Sequence, residues 1–217
     1  MSGARLSASA HSKLTLDPFR YLDDPRFKTT FESAHSFVLA VFASQKRVCK
    51  QLAPYYIELL LRSFPGLLTE GQFHHAYTTI VDTLSDRDDA SAWWALTKLS
   101  DDIDNRRLKL KGITSDANAP SSTAVVLASE KEQSPSPQMN EAAVLEAQEK
   151  TYIAQLSHIN LSLLRSTLSK VRAFINEADR AKDTAKKMAL CECTFDALAL
   201  LDASTREEGL RWWTEHR

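Results

Sequence analysis

The chain has 217 residues, enough for one large core or two small ones, and its 27 basic and 28 acidic side chains nearly cancel. This balance excludes a global field that attracts nucleic acid or anionic lipid, so proteins are the expected partners. Five glycines and seven prolines are too few for an all-β fold rich in tight turns.

Three amphipathic helices are predicted in the first part of the chain, which has the longest continuous apolar periodicity. The first is predicted to begin at Asp24-Pro25, the second at Ala53-Pro54, and the third at Thr69, where Thr69 and Gln72 fit a capping box. The residues predicted to face the core are Phe27, Phe31, Ala34, Phe37, Val38, Val41 and Phe42 in the first helix, Leu52, Tyr55, Tyr56, Leu59, Leu60 and Phe64 in the second, and Phe73, Ala76, Tyr77, Ile80 and Leu84 in the third.

A fourth helix is predicted from Asp88 to Gly112, with an acidic first turn and the glycine as its C-terminal stop. These four helices form a predicted N-terminal half, residues 23–112, behind a flexible N-terminus, residues 1–22. At residue 113 the composition changes to Ser, Thr, Ala, Asn and Pro, and periodicity is lost until residue 138. Residues 113–138 are therefore predicted to be a disordered Ser/Pro-rich linker, in which Ser134 and Ser136 precede prolines as targets of proline-directed kinases do.

Residues 139–217 are predicted to form a second half of four helices. The first begins near Asn140 and the second after Ile159-Asn160. The third carries Met188, Cys191, Phe195, Leu198 and Leu201 as its predicted core face. The last begins at Thr205 with a second capping box, Thr205 to Glu208, and places Leu210 and Trp213 towards the core. About eight helices in antiparallel pairs predict an all-α, HEAT- or armadillo-like array interrupted by the linker.

Several polar groups are candidates for chemistry, but their spacing favours a structural role. His74-His75 and Cys191-x-Cys193 point in different directions on a helix, so neither pair suits one metal ion. The predicted alternatives are one partly buried and one exposed imidazole, and half-buried thiols. Asp101, Asp102 and Asp104 are expected on a solvated helix face, and the basic run 106–111 at a helix C-terminus. No catalytic, cofactor-binding or metal-binding residue and no small-molecule substrate is therefore predicted.

Two tryptophan pairs are the predicted partner-binding residues: Trp93, Trp94, Trp212 and Trp213. Neighbouring residues on a helix cannot both face one core, so at least one indole of each pair is expected at a helix seam or on the surface. In the last pair, one indole is expected to be buried against the preceding helix while the other faces outward. Binding of a partner and packing within the chain are both consistent with this placement.

Several segments together resemble the fungal peroxin-eight family, the intraperoxisomal organisers of matrix-protein import. They are residues 31–42 (FESAHSFVLAVF) with 52–56 (LAPYY) and 64–73 (FPGLLTEGQF), residues 151–156 (TYIAQL) with 160–164 (NLSLL), and residues 210–214 (LRWWT). The resemblance is to the C-terminal part of that family. It implies a non-enzymatic helical adaptor that bridges components of the import complex on the matrix side of the peroxisomal membrane, where peripheral association is compatible with the composition. The alternative is a cytoplasmic HEAT-like scaffold in trafficking or ribosome assembly.

Overall fold

The described residues, which are 21–22, 26–44, 47–116 and 139–216 of this computed structural model, contain eight α-helices and one short 3-10 helix. The helices are α1 (Lys28–Ala43), α2 (Val48–Ser63), α3 (Glu70–Ser85), α4 (Asp89–Asp116), α5 (Glu141–Ala154), α6 (Leu161–Arg180), α7 (Thr184–Ala199) and α8 (Arg206–His216), with the 3-10 helix Gln155–His158 between α5 and α6. The prediction of an all-α array of about eight helices is confirmed, whereas the HEAT-like repeat stays a prediction. The predictions for residues 1–20, for the start at Asp24-Pro25 and for residues 117–138 lie outside the described residues.

Helix α3 forms as predicted because its capping signal and its apolar spacing agree. The Thr69 hydroxyl accepts from the Gln72 backbone N–H at 3.3 Å, and the Gln72 side-chain oxygen accepts from the Thr69 N–H at 3.0 Å. The Tyr77 hydroxyl donates to the carbonyl of Ala95 at 2.7 Å, which joins α3 to α4. All five residues predicted to face the core are buried, namely Phe73, Ala76, Tyr77, Ile80 and Leu84.

The core face of α1 differs from the predicted stripe. Phe27 and Phe37 are exposed, and His35 is buried in their place. The imidazole is accommodated because its Nδ1 lies 2.8 Å from the hydroxyl of the buried Tyr56, so the polar ring has a hydrogen-bond partner. The buried residues of α1 are Phe31, Ala34, His35, Val38 and Phe42.

The predicted starts and ends of α2 and α4 are also corrected. Helix α2 begins at Val48 and contains Pro54 in its interior, at a typical cost of about 3 kcal/mol. The earlier start adds Cys49 to the buried face, which helps to offset that cost, while Tyr55 is exposed. Helix α4 continues past Gly112 to Asp116, because a glycine weakens a helix by only about 1 kcal/mol.

Helix α5 joins the two predicted halves of the chain. It packs against α3 and α4 of the first half and against α7 of the second. Its buried positions run around the helix and include the polar Gln148, Glu149 and Thr151. The buried apolar residues from Leu22 to Leu201 form one cluster, so both halves share one core.

A buried ion pair crosses the same junction. Glu149 of α5 is fully buried; its Oε1 accepts from Arg107 Nη2 of α4 at 2.5 Å, and its Oε2 lies 2.7 Å from Lys186 Nζ of α7. The Arg107 guanidinium lies over the ring of Phe174 in α6, 4.5 Å from its centre. Since a buried charge is tolerated only when it is paired, this cluster holds four helices in one arrangement.

Candidate partner-binding surface

Part of the face of α7 that is predicted to be core is exposed. Leu198 and Leu201 are buried as predicted, but 67% of Met188 and 54% of Phe195 are exposed. Thr194 lies in the core instead, because its hydroxyl donates to the Leu190 carbonyl at 2.7 Å and is thereby satisfied. The buried residues of α7 are Leu190, Thr194, Ala197 and Leu198.

Two apolar stripes compete along α7, and packing against α5 and α6 decides between them. Met188, Cys191 and Phe195 follow a spacing of three and four residues, which is why the sequence predicts them as core. The second stripe is formed by Leu190, Thr194, Ala197 and Leu198, and it is a weaker signal in the sequence because it includes a threonine and a small alanine. Contacts with α5 and α6 bury the second stripe, whereas Met188 and Phe195 of the first stripe are exposed and Cys191 is half-buried.

Helix α8 packs against α6 and α7, and Gly209 is its point of close approach. A Cβ atom on Gly209 would lie 2.3 Å from Leu201 Cδ1 and 3.0 Å from Leu198 Cδ2, so only glycine fits without movement. Leu210 points away from this seam and is 52% exposed, which corrects its prediction as a core contact. We call the apolar side chains of Met188, Cys191, Phe195, Leu210 and Trp213 the α7–α8 surface.

The capping box predicted at the start of α8 is not formed. The Thr205 hydroxyl donates to Asp202 Oδ1 at 2.9 Å, and the same oxygen accepts from the Thr205 backbone N–H at 3.0 Å. Glu208 is engaged elsewhere, because Arg165 Nε of α6 donates to its Oε1 at 2.8 Å. Asp202 therefore organises the turn before α8, and Glu208 ties α8 to α6.

The two tryptophans of α8 lie on opposite sides of Gly209, and both are partly buried. Trp213 contacts Phe195 of α7, with 5.7 Å between ring centres. Trp212 stacks on His216, with ring centres 5.1 Å apart and planes 20° apart. Neither indole faces fully outward, which corrects the expectation of one buried and one exposed ring. Trp213 is the one that extends the exposed stripe of α7.

Gly209→Ala is expected to destabilise the packing of α8, and Gly71→Ala is the matched control. Alanine raises intrinsic helix stability at either position, but only Gly209 has neighbours where the new methyl must go; Gly71 has open space. We expect the free energy of unfolding of the Gly209 variant to be about 1 kcal/mol below that of the Gly71 variant in denaturant titrations, because the terminal methyl groups of Leu198 and Leu201 must move, with a red shift of tryptophan emission. Equal stability of the two variants would contradict close packing at Gly209.

Trp93 and Trp94 lie on a different helix, α4. Trp93 is 42% exposed, whereas Trp94 is partly buried and packs on the core. Trp94 lines a groove of about 380 Å³ beside the ion pair between Lys50 Nζ and Asp88 Oδ2, which are 2.5 Å apart. Partner binding by this pair stays a prediction.

The histidine and cysteine candidates are placed as the helical geometry predicts. His74 is partly buried, which lowers its pKa, and His75 is exposed. Cys191 and Cys193 are half-buried, and burial raises the pKa of both thiols. Among the described residues, no group of three or more His, Cys, Asp or Glu side chains is arranged to hold a metal ion.

The charged run of α4 is largely engaged in ion pairs between helices. Asp101 is exposed as predicted, but Asp102 accepts from Gln148 of α5 at 2.6 Å and Asp104 from Lys170 of α6 at 2.6 Å. Three of the basic side chains that follow, Arg106, Arg107 and Lys111, are paired with acids on other helices; Lys111 Nζ, for example, lies 2.6 Å from Glu177 Oε1 of α6. The expectation of a solvated face is therefore wrong for Asp102, because α5 packs over that side of α4, whereas the Asp104 side chain pairs with Lys170 and is still 47% exposed.

No family model, no curated protein and no solved structure matches this chain. Within the part of the chain that the structure describes, no helix combines the length and apolarity needed to cross a membrane.

Proposed function

We propose that this protein is a non-enzymatic helical adaptor that binds another protein through the α7–α8 surface. The observation that carries the proposal is the exposure of two large apolar side chains, Met188 and Phe195, on one stripe of a helix, next to the half-buried Trp213. Large apolar side chains grouped on a surface are typical of binding sites, and burying one such side chain contributes about 2 kcal/mol.

We further propose that the adaptor acts in peroxisome biogenesis, bridging components of the matrix-protein import complex on the matrix side of the membrane. This part is supported by the resemblance of residues 31–42, 151–156 and 210–214 to the peroxin-eight family. The last of these segments contains Leu210 and Trp213 of the α7–α8 surface. The alternative is a cytoplasmic scaffold that uses the same surface.

Site-specific photo-crosslinking in cells with intact peroxisomes tests the binding surface. A photoreactive phenylalanine analogue replaces Phe195 in the tagged full-length chain, and the matched control carries it at Phe37, which is 39% exposed on α1. We expect crosslinks to a peroxisomal import component from position 195 and none from position 37. Crosslinks to the same proteins from both positions, or none from position 195, would contradict the proposal.

Fluorescence localisation of the full-length chain separates the two cellular settings. We expect punctate signal that overlaps a peroxisomal matrix marker, and loss of the puncta in cells without peroxisomes. A diffuse signal, with position-195 crosslinks to trafficking or ribosome-assembly proteins, would support the cytoplasmic alternative and overturn the peroxisomal part of the proposal.

A further inference from the structure

Two carboxylates border the α7–α8 surface and have no ion-pair partner in the part of the chain that the structure describes. Glu192 and Asp196 are exposed on α7, four residues apart, so both lie on one side of the stripe formed by Met188 and Phe195. Neither makes an ion pair with another described residue. Their charges are therefore available to a binding partner.

Two of the cations beside this surface, Lys187 and Arg211, are held in ion pairs within the chain. Lys187, next to Met188, places its Nζ 2.6 Å from Asp179 Oδ1. Arg211, next to Leu210, donates from Nη2 to Glu207 Oε1 at 2.9 Å. A third cation, Arg206, is exposed one turn before Leu210 and donates to the Leu201 carbonyl at 2.9 Å. The unpaired acids therefore border the apolar centre on its α7 side, and this arginine borders it on its α8 side.

We infer that the α7–α8 surface binds an amphipathic helix of a partner protein whose apolar face is bordered by lysine or arginine. This inference rests on the proposed function and specifies the chemistry of the partner. Apolar side chains of the partner helix would cover Met188 and Phe195, and its basic border would meet Glu192 and Asp196. Helix-in-surface recognition of this kind combines apolar anchors with charges that set orientation and selectivity.

Charge also disfavours two other occupants. A second copy of the chain would bring the same two unpaired carboxylates to the interface, and since Lys187 and Arg211 are held by their own acids, only Arg206 could meet them. An anionic lipid surface would be repelled by Glu192 and Asp196. A cationic amphipathic helix is the occupant that matches both the apolar centre and the acidic border.

The test uses two synthetic 18-residue helical peptides and the full-length chain. Both peptides carry leucines on one helix face; one has lysines along the border of that face and the other has glutamates. Binding is measured by fluorescence anisotropy at low ionic strength, where exposed charges are least screened. We expect the lysine peptide to bind about tenfold more tightly, the scale that two exposed ion pairs support.

Charge reversal on α7 provides the decisive comparison. The variant Glu192→Lys with Asp196→Lys is expected to invert the preference, so that the glutamate peptide binds more tightly. The control, Glu58→Lys with Asp101→Lys, changes the net charge equally at exposed positions on α2 and α4 and is expected to keep the preference for the lysine peptide. Phe195→Ala is expected to weaken the binding of both peptides about tenfold or more.

The outcomes separate this inference from the proposed function. If the charge-reversed variant keeps the original preference while Phe195→Ala still weakens binding, the surface binds protein but not through its carboxylates, and the inference is overturned. If Phe195→Ala changes neither affinity, the binding surface itself is wrong. Self-association that Phe195→Ala abolishes, or binding of the chain to phosphatidylserine vesicles in flotation, would overturn the inference in favour of a second copy or a membrane.

Discussion

Arg107→Met is expected to lower the free energy of unfolding by about 3 kcal/mol or more, because it leaves the fully buried Glu149 with only one cationic partner. The same change removes the guanidinium from the ring of Phe174. The measurement is equilibrium denaturation followed by circular dichroism. The matched control is Arg165→Met, which also breaks an arginine–glutamate pair, but with 70% of the arginine side chain exposed, so its expected cost is about 0–1 kcal/mol.

A combined variant distinguishes charge from packing at this cluster. Replacing Arg107 and Lys186 by methionine and Glu149 by leucine removes every charge of the cluster together, so no buried ion is left without a partner. We expect this variant to recover most of the stability that Arg107→Met loses. If it is as unstable as the single variant, the loss comes from side-chain packing on Phe174, and the electrostatic explanation is wrong.

Phe73→Ala is expected to destabilise the protein by about 3–5 kcal/mol, because it empties a fully buried site in α3. Phe73 also stacks on Phe64, with ring centres 4.5 Å apart, and its ring centre lies 5.5 Å from that of Tyr77. The substitution therefore removes aromatic contacts as well as buried area. Thermal and denaturant unfolding measure the change.

Phe195→Ala is the control for this prediction and links it to the binding surface. The substitution is the same, but 54% of the Phe195 side chain is exposed, so we expect a loss of stability of less than about 1 kcal/mol. A loss as large as that of Phe73→Ala would mean that Phe195 contributes to the core, and the α7–α8 surface would not be available to a partner.

Local sequence signals predicted the buried face of α3 correctly and that of α7 only in part, and the difference has a physical cause. In α3 a capping box and one apolar stripe agree, so the start and the buried face follow from neighbouring residues alone. In α7 two stripes are present, and the side that is buried depends on how α5 and α6 approach. The predicted capping box of α8 failed for a similar reason, because Glu208 makes its bond with Arg165 of a distant helix.

The candidate site was predicted in part. The tryptophans of α8 were identified because two adjacent indoles on a helix cannot share one buried face. Met188, Phe195 and Leu210 were missed as surface residues, since apolar spacing in a sequence shows which residues share a face but not whether that face is covered. Glu192 and Asp196 give no local signal either, because an unpaired charge is defined by what the rest of the fold places beside it.

The sequence by itself determined that the protein is all-α, where most of its helices lie and how α3 is capped, because these properties depend on spacing and on residues within a few positions of one another. Only the tertiary structure decided that α5 joins both halves in one core, that Arg107, Glu149 and Lys186 meet there, and that α7 turns Met188 and Phe195 to solvent. These properties depend on contacts between segments far apart in the chain, where burial and ion pairing outweigh local preference.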